Sequence, residues 1–133
     1  MSEGFKLEIV NPEKSFLSKD GVSEVVVPAF EGEMGILKDH ISIISFLKPG
    51  LVRVFESGSN EETYYVEDGI IEFKNNCLSI LTSNIFDIKK IDKNKVRDIL
   101  IAAEKESKNQ DMSDQAKYLV DHKIEVLKSL TLN

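Results

Sequence analysis

The sequence is short of the residues that most chemical sites need. Its 133 residues include no tryptophan, two histidines and a single cysteine, Cys77. Two histidines exclude a multi-histidine metal site, and the carboxylates show no spacing typical of a metal loop. One cysteine excludes an internal disulfide and fits a reducing compartment. We therefore expect no metal and no other cofactor.

Long apolar runs and concentrated positive charge are missing too. No run approaches the roughly 20 apolar residues that a membrane-spanning helix needs, and the N-terminal segment lacks the features of a signal or transit peptide. The formal net charge is −6 with dispersed lysines, which argues against nucleic acid as a partner. Hydrophobic residues make up 41% and charged residues 30% of the chain. This balance is typical of a soluble globular protein.

Up to about residue 90 the hydrophobic period is two. Phe5, Leu7 and Ile9 alternate with polar residues, the pattern of a strand with one solvent-exposed face. Similar β-rich runs follow, namely SEVVVPAF, ISIISF, LVRVF, TYYV, IIEF, CLSIL and IFDI. Turn signals separate them, including KDG, KPG, SGSN, EDG and NN. Short strands at this spacing, with no helical pattern between them, indicate an antiparallel sandwich or barrel, and we predict a β-sandwich over residues 1–90.

After Asp92 the period becomes helical, which predicts two amphipathic helices in residues 91–133. The first apolar stripe contains Val96, Ile99, Leu100 and Ala103, and the second contains Ala116, Leu119, Val120, Ile124 and Leu127. A polar break at residues 108–111 makes the pair an antiparallel hairpin. Asp92 or Asn94 would cap the first helix, and Ser113 or Asp111 the second. We expect the hairpin to pack on its own sandwich through Ile99, Leu100, Leu119 and Ile124.

The segment EGEMGILKDHISIISFLKPGLVRV, residues 31–54, has the composition of a functional loop. It contains no phosphate-binding glycine pattern, and the chain has no G-x-S-x-G elbow. The residues alone predict a strand, an exposed acidic loop, a strand, a tight turn at Lys48-Pro49-Gly50 and a strand. Gly32 and Gly35 would supply positive φ or tight packing. We interpret the segment as a candidate interaction surface.

The polar residues of this segment favour the same interpretation. His40 is expected to hydrogen-bond the backbone rather than act as a general base. Glu31, Glu33 and Asp39 are expected to form a solvated rim rather than a catalytic carboxylate pair. Two alternatives stay open at this point: a β-sandwich module that binds an unrelated small molecule, and an enzyme that uses His40 with a nearby carboxylate.

The stretch VVVPAFEGEMGILKDHISIISFLKPGLVRV resembles the epsilon subunit of bacterial F-type ATP synthases. The positions that match the family pattern are Glu31, Gly32, Gly35, His40, Pro49 and Gly50. The later stretch YYVEDGIIEFKNNCLSILTSNIFDIKKID matches in order and spacing, so the resemblance covers nearly the whole chain. The departures from the pattern are Lys38-Asp39 in place of Pro-Gly, Ser42 in place of Pro, and Asp68 in place of a glycine.

The resemblance implies a non-catalytic central-stalk subunit that couples proton-driven rotation to ATP synthesis. The sandwich would bind the gamma subunit and the membrane c-ring, and the regulatory hairpin would restrain hydrolysis at the alpha and beta subunits. The protein would be peripheral to the membrane, on the cytoplasmic face of the bacterial inner membrane. By position, the Glu31–His40 loop would face the c-ring, with Glu33 and His40 as the best contacts. Gly35, Pro49 and Gly50 would be scaffold positions.

The hairpin departs from what the resemblance implies for regulation. Family members that bind ATP carry I/L-D-x-x-R-A, whereas Lys95 stands here in the arginine position. Because lysine lacks the planar fork of arginine, we predict very weak or no ATP binding. In the second helix, three lysines (Lys117, Lys123 and Lys128) are interleaved with three acids (Asp114, Asp121 and Glu125). Such mixed charge attracts an acidic partner weakly, so we predict a mostly compact, weakly inhibitory hairpin.

Overall fold

The computed structural model describes residues 4–12, 14–57 and 60–131, with the backbone alone at 14 and 15. The chain consists of two compact units, and the boundary between them in the sequence lies between Asp87 and Ile88. The first unit is a β-sandwich and the second is a pair of α-helices. The predicted fold class, a β-sandwich followed by a two-helix hairpin, is confirmed.

The strands of the described chain are numbered in chain order. They are β1 (Phe5–Asn11), β2 (Lys14–Ala29), β3 (Gly32–Leu37), β4 (Ile43–Leu47), β5 (Gly50–Glu56), β6 (Asn60–Val66), β7 (Gly69–Lys74), β8 (Cys77–Leu81) and β9 (Ile85–Asp87). Each β-rich run that alternation predicts contributes to a strand. The acidic stretch 32–37 is also a strand, and β2 begins well before its predicted run.

Strand β2, 16 residues long, belongs to both layers of the sandwich. Its first half pairs with β1, which continues through β8 and β7 to β4. Its second half pairs with β3 on one side and with β5 on the other, and β5 continues to β6 and β9. A long strand shared in this way closes the sandwich at one side. Its partner β1 shows two register shifts, where the ladder bends.

One pairing differs from the predicted antiparallel arrangement. Strands β1 and β8 run parallel, in a register from Lys6↔Cys77 to Val10↔Leu81. Alternation within a strand reports which face is buried but carries no information about strand direction, so the sequence pattern could not reveal a parallel pair.

The core lies between the layers and uses the inward residues of both. Fully buried side chains include Leu7, Ile36, Tyr65, Phe73 and Leu78. Phe5 and Phe73 pack edge to face with ring centroids 5.5 Å apart, a preferred aromatic geometry. Burial raises the pKa of the Tyr65 phenol, with the Glu67 carboxylate adding to the effect, so Tyr65 stays neutral at physiological pH.

Two turns show how local chemistry sets the strand ends. Asn75 and Asn76 join β7 to β8 with φ of 52° and 54°, the geometry of a type I′ hairpin. At Lys48-Pro49-Gly50 the chain bends at Pro49, and Gly50 already begins β5 without positive φ. A Cβ on Gly50 would lie 2.6 Å from the Pro28 Cβ, so this glycine serves close packing rather than turn conformation. Gly58 and Ser59 of the predicted SGSN turn lie outside the described residues.

A cluster of charged side chains links strands β2, β5 and β6. The Lys19 ammonium donates hydrogen bonds to Glu56 on β5 and, at 2.7 Å, to Glu62 on β6. The Tyr64 hydroxyl also donates to Glu62. The bonds to Glu56 and Glu62 raise the pKa of Lys19. All three charged side chains are at least partly shielded from solvent. Because they belong to β2, β5 and β6, their contacts hold these three strands together.

The second unit contains α1 (Lys93–Ser107) and α2 (Asp114–Thr131). Asp92 caps α1 by accepting a hydrogen bond from the Asn94 amide at 2.9 Å. Ser113 caps α2 in the same way through the Ala116 amide. These were two of the predicted caps, and their geometry satisfies otherwise unpaired amides in the first turn.

Candidate functional site

The segment predicted as an exposed acidic loop is an edge strand. Within the described chain, β3 pairs with β2 alone, in a register from Glu24↔Leu37 to Ala29↔Gly32. Its side chains alternate: Ile36 is buried in the core and Met34 packs against it, while Glu33 and Leu37 are exposed. The loop prediction was wrong because glycines at positions 32 and 35 hid this alternation. Gly32 itself has φ of 137°, which favours glycine at the entry to the strand.

The predicted contacts therefore form a stripe rather than one cluster. Glu31 lies in the turn before β3 and His40 lies in the turn after it. A six-residue strand spans about 17 Å between its end residues, so Glu33 and His40 sit near opposite ends. We call this stripe the docking edge; it consists of Glu31, Glu33, Gly35, Leu37, His40 and Ile41. Sequence reasoning overlooked Leu37 and Ile41, although both are large apolar residues in a polar stretch.

Glu33 forms an ion pair that the sequence did not reveal. Its carboxylate lies 3.4 Å from an Arg53 guanidinium nitrogen. Arg53 belongs to β5 and Glu33 to β3, so the pair reaches across β2, which lies between them. Both side chains are substantially exposed. Such a pair contributes about 0–1 kcal/mol to stability, and it halves the negative charge that Glu31 and Glu33 present together.

His40 is held by the backbone, as expected. Its amide donates to the Leu37 carbonyl at 3.1 Å, and its Nδ1 lies 2.8 Å from the Ile41 carbonyl oxygen. Because a carbonyl can only accept, Nδ1 carries the proton. The ring packs edge-on against Phe73 with centroids 5.9 Å apart. Among the described residues, His40 contacts no carboxylate by hydrogen bond or ion pair, which disfavours the alternative of a histidine–carboxylate enzyme.

A second candidate surface lies on the outer face of β4, β7 and β8. Phe46, Ile70 and Leu81 stand directly opposite one another in the strand register. Phe30 adjoins them, since its amide donates to the Phe46 carbonyl at 3.1 Å. Each of the four side chains is 42–60% exposed. We call Phe30, Phe46, Ile70 and Leu81 the apolar row.

The apolar row borders a groove of about 640 Å³ that Pro12, Leu47 and Gly69 also line. One end of the groove is fixed by polar contacts between two loops. The Asp68 carboxylate accepts hydrogen bonds from the Ser83 amide (3.0 Å) and hydroxyl (2.7 Å). The Thr82 hydroxyl donates to the Asp68 carbonyl at 2.6 Å and is almost fully buried. Asp68, the residue that departs from the family glycine, thus shapes the groove.

The apolar row was not predicted from the sequence. A signal was present: both IIEF and CLSIL have apolar residues at consecutive positions, where one neighbour must face away from the core. The short length of these runs made that signal ambiguous, because a fully buried strand has the same pattern.

The predicted packing residues of the hairpin, Ile99, Leu100, Leu119 and Ile124, are all half-buried. The most buried positions of the helices are Val96, Ala103, Val120 and Leu127. That the hairpin packs on the sandwich through the four predicted residues stays a prediction.

The Lys117 ammonium donates to the Ser107 carbonyl at 3.1 Å and lies 3.8 Å from Asp121. It therefore neutralises the C-terminal end of α1, where backbone carbonyls lack helical partners. One of the three basic side chains on α2 is thus engaged within the hairpin.

Metal-binding and membrane-spanning features are the remaining kinds of site. Within residues 4–12, 14–57 and 60–131, no three His, Cys, Asp or Glu side chains gather so as to hold a metal ion. Neither described helix is long and apolar enough to cross a bilayer.

The chain is similar to known proteins in sequence and in fold. A family model described as "ATP synthase, Delta/Epsilon chain, beta-sandwich domain" matches residues 4–88. The chain is 72% identical over 130 residues to the ATP synthase epsilon chain of Pelagibacter ubique, covering 98% of this chain and 99% of that relative.

Two solved structures share the fold. One is a cryo-EM structure of the Euglena gracilis mitochondrial ATP synthase, OSCP/F1/c-ring, with a TM-score of 0.76 and 21% identity over 98% of this chain and 81% of that one. The other is the central stalk/c-ring of the Tetrahymena thermophila mitochondrial ATP synthase, with a TM-score of 0.66 and 18% identity over 95% of each chain.

Proposed function

This chain belongs to the ATP synthase epsilon-chain family, and we propose that it serves as a non-catalytic central-stalk subunit of a proton-translocating F-type ATP synthase. In that role it couples proton-driven rotation to ATP synthesis. Support comes from 72% identity to an ATP synthase epsilon chain along almost its whole length. Two proteins that share its fold come from structures of an OSCP/F1/c-ring assembly and of a central stalk/c-ring assembly, which adds to this support.

The apolar row is the observation that carries the proposal. Four large apolar side chains on one sheet face, beside a groove of about 640 Å³, remain exposed in the single chain. A contiguous apolar patch on a protein that acts alone is unfavourable, and such patches mark partner surfaces. Their burial would favour a lasting contact, since each fully buried large apolar side chain contributes about 1.5–3 kcal/mol. In the proposed role the occupant is the gamma subunit, which rotates together with this chain.

The docking edge is proposed to face the c-ring. It offers two carboxylates at one end, and at the other end His40 with the exposed Ile41. Its backbone belongs to an edge strand whose outer side has no strand partner among the described residues. Polar and apolar groups in a fixed order along a strand favour a definite orientation more than a high affinity. Orientation is what a part that transmits torque needs.

The rigidity of the sandwich suits this role. Its layers are joined by β2 and by the cluster of Lys19, Glu56 and Glu62. A rotor subunit has to pass force between two contacts without deforming, and close-packed β-layers have low compressibility. We place the protein at the periphery of the bacterial inner membrane, on its cytoplasmic side, where it would be held by its partners.

The hairpin is proposed to be a weak regulator of the alpha and beta subunits. Lys117 already contacts Ser107 and Asp121 within the hairpin, which leaves less positive charge for an acidic partner. Lys95 replaces the arginine of the family's ATP motif, so nucleotide binding would be very weak or absent.

Footprinting with the gamma subunit tests the proposal. The full chain is mixed with purified gamma, a complex is isolated by size exclusion, and side chains are oxidised by hydroxyl radicals before mass spectrometry. We expect a one-to-one complex in which oxidation of Phe30, Phe46 and Leu81 falls severalfold. Ile101 and Tyr118, exposed residues of the helices, serve as internal references.

A functional arm accompanies the footprint. Membranes that carry the complete complex are compared with membranes assembled without this chain, and ATP synthesis is driven by an imposed proton gradient. Synthesis should require the chain. Equal synthesis with and without it, or a gamma complex that leaves the apolar row fully reactive, would contradict the proposed role.

A further inference from the structure

Two side chains from distant parts of the sandwich form a reciprocal pair beside the docking edge. The Asp39 amide donates to Asn76 Oδ1 at 2.7 Å, and Asn76 Nδ2 donates to Asp39 Oδ1 at 2.9 Å. The two residues are 37 positions apart in the sequence. The second bond has an ionised acceptor, and hydrogen bonds of that kind are shorter and stronger than neutral ones.

The backbone conformations make Asn76 the fixed member of the pair. Asn76 has φ of 54° in the two-residue turn between β7 and β8, and its carbonyl accepts from the Lys6 amide at 3.0 Å. Asp39 also has positive φ, 67°, in the connection between β3 and β4. Asp and Asn tolerate this region better than other non-glycine residues. The pair therefore ties the turn that follows β3 to a second turn, which is anchored on two strands.

The tied connection carries one end of the docking edge. Residues 38–42, which we call the tip, contain His40 and Ile41, and Ile41 is 78% exposed. Apart from the pair, the tip is held by the His40 amide on the Leu37 carbonyl and by the His40 ring against Phe73. The first of these contacts closes the turn in which Asp39 lies. The pair adds a restraint from outside that turn on a residue whose positive φ is otherwise unfavourable.

We propose that Asp39 and Asn76 are positioning residues that fix the tip, so that His40 and Ile41 meet the c-ring in one conformation. This inference rests on the proposed function, in which the docking edge faces the ring. A surface that is ordered before contact loses less conformational freedom on binding and so binds more tightly. It also associates faster than one that must rearrange first.

Four variants separate the pair from its surroundings. Asn76→Asp removes the Nδ2 donor and sets two carboxylates against each other, and their repulsion is expected to draw the residue 76 oxygen away from the Asp39 amide. Asn75→Asp adds the same charge one position earlier in the same turn and is the matched control. Asp39→Asn keeps an oxygen acceptor and the same amide donor, so the pair persists. The double variant Asp39→Asn/Asn76→Asp restores complementarity, with the donors now on residue 39.

The first measurement uses the isolated full chain and does not depend on any partner. NMR amide exchange of residue 39 and ¹⁵N relaxation of residues 38–42 report the order of the tip, and thermal unfolding checks the fold. Asn76→Asp should raise the exchange rate of the residue 39 amide by about tenfold or more. In Asn75→Asp and in Asp39→Asn the exchange rate should stay within about twofold of the wild-type rate. The double variant should return most of the way to the wild-type rate. Unchanged tip order in Asn76→Asp would overturn the proposal.

The second measurement is binding to a purified gamma–c-ring complex by biolayer interferometry. Asn76→Asp should bind about three- to tenfold more weakly, chiefly through slower association, and the double variant should recover the rate. A loosened tip with wild-type binding would overturn the positioning role. If the wild-type chain itself fails to bind, the proposed function is overturned and the docking role of the pair with it, whatever the NMR result.

Discussion

The apolar row and the docking edge are exposed surfaces of one sandwich, yet they offer partners different physics. The apolar row presents Phe46, Ile70 and Leu81 side by side, with no charged group in the row. The docking edge mixes polar with apolar side chains, and in it Glu33 is paired with Arg53 and the tip is tied to Asn76. Apolar area supplies binding energy, whereas ordered polar groups supply orientation. In the proposed role, the apolar row would hold the protein to its partner and the docking edge would align it.

The largest effect should come from breaking the apolar row. Ile70→Asp places a carboxylate in the middle of the row and should weaken binding to gamma by at least about 30-fold, since it removes an apolar side chain and adds a desolvation cost. Titration calorimetry with purified gamma measures the change. Lys74→Asp, on the outer face of the same strand but outside the row, is the control and should change binding by less than about threefold. Similar losses in both variants would contradict the assigned surface.

The scaffold beneath the two surfaces gives the next effect. Lys19→Met leaves Glu56 and Glu62 without their shared cation and should lower the free energy of unfolding by about 1–2 kcal/mol, between the values for exposed and buried pairs. Urea denaturation measures it. Lys6→Met removes the more exposed pair with Glu8 and should change the free energy of unfolding much less than Lys19→Met does.

The dependence of this scaffold effect on pH has a definite sign. The hydrogen bonds that Lys19 donates to Glu56 and Glu62 raise its pKa above the ordinary value of 10.5. The stabilisation is therefore fully present below 10.5 and is lost only as pH rises through the higher folded-state pKa. The difference between Lys19→Met and the wild type should be flat from about pH 7 to 9. A difference that shrinks steadily over that range would show that Lys19 is not the group involved.

A smaller effect should follow from the charge of the docking edge. Glu33→Lys removes one rim contact and sets two cations across β2, so ATP synthesis in membranes should fall by about 1.4- to 5-fold, as expected for 0.2–1 kcal/mol. Binding to gamma should not change. The double variant Glu33→Lys/Arg53→Glu restores the internal ion pair with inverted charges. Recovery of synthesis in the double variant would show that the pair matters and that the sign of the charge facing the ring does not.

The hairpin should restrain ATP hydrolysis only weakly. Deleting residues 91–133 should raise ATP hydrolysis by the purified complex by less than about tenfold, because mixed charge on α2 gives weak long-range attraction. Lys117→Met, which breaks only the contacts with Ser107 and Asp121, should leave hydrolysis unchanged. A rise of tenfold or more on deletion would show that the hairpin is a strong inhibitor.

Much of the fold could be predicted because its cause is local. Alternation in FKLEIV and LVRVF, and helical stripes after Asp92, both reflect which face of an element is buried. The asparagine turn at 75–76 and the caps at Asp92 and Ser113 are likewise local chemistry. By contrast, strand β3 was not predicted because its glycines interrupt the alternation. The parallel pairing of β1 with β8 was not predicted because strand direction leaves no pattern in a local sequence.

In the candidate site, too, features with a local cause could be predicted and features that depend on distant residues could not. His40 bonding to the backbone was expected from the residue type and is confirmed by its contact with the Ile41 carbonyl. The Glu33–Arg53 and Asp39–Asn76 pairs join residues 20 and 37 positions apart. Such partners are brought together only by strand order, which no single segment encodes. The roles of Glu31, Glu33 and His40 at the c-ring stay predictions.

The parallel pairing of β1 with β8 has a consequence for synthesis on the ribosome. Lys6 faces Cys77, 71 positions later, so β1 has no partner on that side until most of the sandwich has been translated. Contacts of such separation slow folding, because a long loop closes before they form. At about 5–20 residues per second, the nascent β1 waits several seconds with one edge open. Leu81, which ends β8, joins the apolar row only at that stage. The surface proposed to bind gamma is therefore completed late in the synthesis of the sandwich.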